Sequence, residues 1–91
     1  MTIATAIDKT NLFPLEIYPN PTTDKILLSL PASRNAQVDI RVYDAQGKLS
    51  LKTERSAQPE IILDLQSLAA GLYTILLSDG ESYYQGKVIK K

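Results

Sequence analysis

The sequence predicts an all-β domain, a sandwich or small barrel of about seven short strands. Three observations carry this. Val38, Ile40 and Val42 alternate with Asp39, Arg41 and Tyr43, the period-two signature of a half-buried strand. Two loops, Asp44-Ala45-Gln46-Gly47 and Asp79-Gly80, interrupt apolar runs with the residues that hairpins need. Turn residues recur roughly every eight to twelve positions, a spacing that suits short strands and leaves no room for long helices.

Taken in order, residues 1–12 lack a period and form a lead-in, and the folded domain occupies residues 13–91. Phe13 to Tyr18 is a short extended piece. It stops at Pro19, which has no N–H to give a ladder, and Pro21 turns Asn20 away from helix. Lys25 to Leu30 is an apolar strand bounded by Thr22-Thr23-Asp24 and Pro31. Val38 to Tyr43 pairs through the Gly47 loop with Lys48 to Thr53, which predicts Leu49 and Leu51 inward. Ser56 to Pro59 is a turn, and Ile61 to Leu65 is a strand. Gln66 to Ala70 is too short for an independent helix and reads as a loop or single helical turn ending at Gly71. Leu72 to Ser78, a two-residue turn at Asp79-Gly80, and Glu81 to Ile89 complete a second hairpin. Tyr73 shares a face with Ile75 and Leu77 and belongs to the core, with Tyr18 packed beside it. Tyr83 and Tyr84 face opposite ways, one inward and one outward.

Composition narrows the function. A chain of 91 residues with 44% hydrophobic content is one domain with one core. Such a domain has a net stability of about 5–14 kcal/mol. Ten basic and ten acidic residues balance, which argues against nucleic acid as the main partner. The chain has no histidine and no cysteine, which removes the imidazole base, the thiol nucleophile, the usual zinc ligands and any disulfide. Its serines therefore lack the usual general base, and no run of alternating carboxylates forms a calcium loop. Asp44 and Asp79 serve their turns. No catalytic, cofactor or metal site is expected, and no small-molecule substrate. No apolar stretch reaches membrane-span length, and no signal peptide opens the chain. If exported, the chain is a fragment of a longer protein, and Met1 starts only the fragment.

Charge is unevenly placed. Residues 56–81 carry Glu60, Asp64, Asp79 and Glu81 without a base, and residues 82–91 carry Lys87, Lys90 and Lys91 without an acid. Two readings fit: the last strand pairs with an acidic neighbour in a sheet, or a basic tail is displayed to a partner. Pro19-Asn20-Pro21 likewise has a plain reading, as a device that stiffens the exit from an edge strand.

Five features now stand in a fixed order: Tyr18-Pro19-Asn20-Pro21, the apolar strand Ile26 to Leu30, Val42-Tyr43-Asp44 with Gly47, Gly71-Leu72-Tyr73, and the closing Lys87-Val88-Ile89-Lys90-Lys91. Together they resemble the C-terminal sorting domain of type IX secretion cargo proteins, most closely its type A branch. The resemblance implies an immunoglobulin-like antiparallel sandwich of about seven strands. It implies a non-catalytic signal that takes a cargo protein of a gram-negative bacterium from the periplasm through the outer membrane to the cell surface or beyond. The implied partners are the type IX translocon and a sortase-like cysteine peptidase that usually removes such a domain in the linker before its first strand, here residues 1–12; the resemblance is compatible with removal or retention. Recognition is expected to involve Lys87, Lys90, Lys91, Pro19, Asn20, Pro21, Gly71 and Tyr73. With the three lysines on the surface, removal of Lys90 and Lys91 is expected to leave the melting temperature unchanged. The competing class is an extracellular carbohydrate- or protein-binding sandwich module, which explains the fold equally well but not the basic chain end.

Overall fold

The computed structural model describes residues 12–30 and 37–91, so the lead-in over residues 1–11 and the boundary at Pro31 lie outside the described residues. Among the described residues there is no helix. Eight strands are present: β1 (Leu12–Pro14), β2 (Glu16–Tyr18), β3 (Lys25–Ser29), β4 (Gln37–Tyr43), β5 (Leu49–Ser56), β6 (Glu60–Asp64), β7 (Gly71–Ser78) and β8 (Tyr83–Lys90). A larger sheet runs β1-β8-β7-β4-β5, and a smaller one runs β2-β3-β6.

The all-β sandwich expected from the alternation is therefore present, with one more strand than anticipated. The extended piece before Pro19 is shared between the sheets. Its first part pairs with β8, buried Leu15 crosses the sandwich edge, and its second part pairs with β3. β1 runs parallel to β8, a departure from the purely antiparallel expectation, while the other strand pairs are antiparallel. Gly86 makes this crossing possible. A Cβ there would lie 2.7 Å from the Leu15 carbonyl oxygen and 2.7 Å from Ile17 Cδ1. Only a residue without a side chain lets the backbone pass so close.

The core fills the space between the sheets. Val38, Ile40 and Val42 from β4, Tyr73, Ile75 and Leu77 from β7, and Tyr84 and Val88 from β8 face Ile26 and Leu28 of β3 and Ile61 and Leu63 of β6. Each set sits at alternate positions, so the pleat alone divides core from surface. The β4–β5 turn behaves as its sequence requires. Asp44 Oδ1 accepts the amides of Gln46 and Lys48, each at 2.9 Å, and Gly47 takes a φ of 83°.

Three local expectations are corrected. Leu49 is 44% exposed, because the β4–β5 register shifts between Val42 and Tyr43. Val42 faces Leu51 and Tyr43 faces Leu49, so Ser50 is the extra residue of a bulge and turns Leu49 outward. Leu51 remains packed on the core. Tyr18 is 45% exposed and does not join Tyr73, since Ile17 takes the inward position on β2. The second hairpin closes through Asp79 to Ser82 rather than two residues, with Asp79 Oδ1 accepting the amides of Glu81 at 2.9 Å and Ser82 at 2.7 Å. The tyrosine pair divides as expected, with Tyr84 buried and Tyr83 half-buried.

Candidate functional site

Pro19, Asn20 and Pro21 leave β2 at the edge of the smaller sheet and return across the sandwich to β8. Two prolines in three residues remove two backbone donors, so this segment cannot form an ordinary ladder. The Asn20 side chain supplies the missing groups. Its Nδ2 donates to the Lys87 carbonyl at 3.1 Å, and its Oδ1 accepts the Ile89 amide at 3.0 Å. A side-chain amide has the donor and acceptor of a peptide unit, and here it stands in for one.

Thr22 continues the pairing with its backbone. Its N–H donates to the Ile89 carbonyl at 2.9 Å, and its carbonyl accepts the Lys91 amide at 2.8 Å. Thr22 is buried, and its hydroxyl donates to the Lys25 carbonyl at 2.8 Å, which ties the segment to the start of β3. Upstream, the Leu15 amide donates to the Gln85 carbonyl at 2.9 Å. The outer edge of β8 is thus covered in turn by β1, Leu15, Asn20 and Thr22. An edge that would otherwise offer itself to other strands is closed. The first motif and the last residues, 67 to 69 positions apart, form one clasp.

The lysines divide into two kinds. Lys87 and Lys91 are exposed. Lys90 points inward at 8% exposure, and its Nζ donates to the Lys91 backbone oxygen at 3.1 Å. The expectation of three surface lysines therefore holds for two and fails for Lys90, which shares the inward parity of Tyr84 and Val88. The strand neighbours of β8 are β7 and β1, and neither carries a carboxylate. That removes the reading in which the basic end pairs with an acidic strand. Arg41 and Asp39 form an ion pair at 3.3 Å. A hydrogen bond with the Tyr43 side chain, then the Asp39 charge, raises the Arg41 pKa above its ordinary value.

Gly71 opens β7 directly opposite Lys90, so it lies against the clasp. Tyr73 is a core residue whose hydroxyl donates to the Ala69 carbonyl at 2.6 Å, pinning the turn that precedes Gly71. The structure so gathers Pro19, Asn20, Pro21, Gly71, Lys87, Lys90 and Lys91 at one end of the sandwich, with Tyr73 supporting them from inside. Thr22 and Gly86 belong to the same assembly and were not singled out from the sequence. Asn20 had a legible cue, an amide between two residues without N–H groups. Gly86 had only its position inside a strand.

The Tyr18–Pro21, Gly71–Tyr73 and Lys87–Lys91 segments thus meet at one edge of a small sandwich. Comparison with known proteins gives the family. The model of the secretion system C-terminal sorting domain matches residues 16–91, and the chain belongs to that family. The chain is also 31% identical over 88 residues to Karilysin of Tannerella forsythia, a match covering 86% of this chain and 18% of that protein. It spans less than a fifth of the length of the curated relative it matches. The matched domain is a non-catalytic C-terminal signal of type IX secretion, which engages the secretion machinery and directs its protein outside the cell or to the cell surface.

Proposed function

We propose that the export signal is the folded clasp, a composite of Pro19-Asn20-Pro21 with the β8 end, and that the type IX translocon reads it as a shape. The observation that carries this is the pair of bonds from the Asn20 amide to Lys87 and Ile89, which joins the two ends of the domain. Lys87 and Lys91 offer charge to the translocon. Lys90, Gly71 and Tyr73 hold the end in place from within and from the adjoining strand. After passage through the outer membrane, a sortase-like cysteine peptidase cuts within residues 1–12, and the cargo is attached at the cell surface. Residues 13–91 are the signal and the lead-in is the cleavable joint. Any catalytic activity of the whole protein lies in the cargo part.

The test is transplantation. The 91-residue chain is fused behind a periplasmic signal peptide and a fluorescent protein and expressed in a type IX host. Fluorescence is expected in the medium or on the cell surface, and in the periplasm of a strain lacking the translocon. Periplasmic retention in both strains overturns the reading.

A further inference from the structure

The outer face of the larger sheet carries an exposed apolar pair beside the clasp. Leu72 of β7 and Ile89 of β8 are direct cross-strand partners, 43% and 48% exposed. Lys87 and Lys91, each two residues from Ile89, share its outward parity and are exposed. The carboxylate of this face on β4, Asp39, is four residues along from Tyr43, whose β7 partner Thr74 is itself the partner of Lys87. At strand spacing that is about 13 Å. Asp39 is moreover engaged by Arg41. The nearer Asp44 spends its Oδ1 on its own turn. Two cations therefore flank an apolar pair, with no side-chain carboxylate between them among the described residues.

We infer that Leu72, Ile89, Lys87 and Lys91 form the contact face for a protein receptor that presents an apolar side chain flanked by carboxylates. The inference rests on the sorting reading and names the chemistry of its partner. An apolar centre supplies the desolvated contact, and the flanking lysines orient the receptor and exclude basic competitors. A bilayer is the poorer fit. Two lysines near an anionic membrane strengthen binding by only roughly thirtyfold, and the two apolar side chains stand on a flat strand pair that cannot insert deeply. Lys90 takes no part, since it faces inward.

The same fluorescent fusion tests this with three double variants: Leu72→Thr with Ile89→Thr, Lys87→Glu with Lys91→Glu, and Lys87→Arg with Lys91→Arg. Melting temperatures are measured on the purified chain, and binding to vesicles of phosphatidylglycerol is measured in parallel. Support requires export of the parent fusion, a tenfold or greater loss in the threonine and glutamate variants at unchanged melting temperature, normal export of the arginine variant, and no vesicle binding. If the threonine variant melts early, the glutamate and arginine variants decide. Normal export of the glutamate variant overturns the face and leaves the sorting reading intact. Charge-dependent vesicle binding also overturns it, in favour of lipid. A parent fusion that stays in the periplasm sinks the sorting reading, and this face with it.

Discussion

At the residue scale, Gly86 and Asn20 do opposite jobs for the same edge. Gly86 lets the crossing chain come close, and Asn20 fastens it once across. Replacing Gly86 by alanine sets a Cβ against the Leu15 carbonyl, a backbone atom that cannot swing aside. The expected cost is about 1–3 kcal/mol, read as a lower thermal midpoint. An unchanged midpoint would mean the crossing is looser than described. Tyr84 gives a pH signature. Burial, and then the nearby Asp79 charge, raise its pKa above the ordinary 10.0. A folded-state pKa above the unfolded value means its contribution is fully present below pH 10.0 and is lost as pH rises through the raised value. Denaturant titrations across that alkaline range should show falling stability, and Tyr84→Phe should flatten the fall. Little of this was legible beforehand. A glycine in a strand and an asparagine between prolines are visible in the sequence, but their partners lie on strands far away in the chain.

At the element scale, legibility followed locality. The β4–β5 pair and the β7–β8 pair are closed by neighbouring residues, so alternation and turn chemistry sufficed to place them. The failures came where a third element decides. Leu49 was turned out by a bulge that alternation alone does not signal, and β1 was drawn into parallel pairing by a strand at the other end of the chain. Lys90 is the instructive case. Its type argues for the surface, while its parity with Val88 argues for the interior, and parity won because both edges of β8 are paired. The terminal residues are therefore structural as well as charged. Removing Lys90 and Lys91 deletes the Lys91–Thr22 backbone bond and the inward lysine stem. The thermal midpoint should fall by several degrees, as expected for a loss of about 1–2 kcal/mol in a domain of this size. A midpoint equal to the parent's would restore the simple surface-tail picture.

At the scale of the whole molecule, the sandwich is closed on the side where the chain enters and leaves. Phe13 packs on Tyr84 with ring centres 5.6 Å apart, and Tyr18 stands on the small sheet opposite Leu27, which in turn faces Ile62 on β6. These aromatic rings are not arranged as a paired exposed platform, which weakens the carbohydrate-module alternative. What the molecule does present is an end where its earliest motif and its last residues meet. Three motifs that look independent along the chain, Tyr18–Pro21, Gly71–Tyr73 and Lys87–Lys91, thereby meet in space.

The measurement that tests this most directly is export of the fluorescent fusion carrying Asn20→Ala, at a temperature well below the variant's thermal midpoint. Loss of two hydrogen bonds should cost about 1–2 kcal/mol, leaving the core folded while the β8 edge opens. Faster hydrogen exchange at the Ile89 amide would report that opening. Export should drop severalfold alongside the faster exchange. Export equal to the parent's, with the Ile89 amide demonstrably released, would contradict the clasp as the signal and return the signal to the linear chain end.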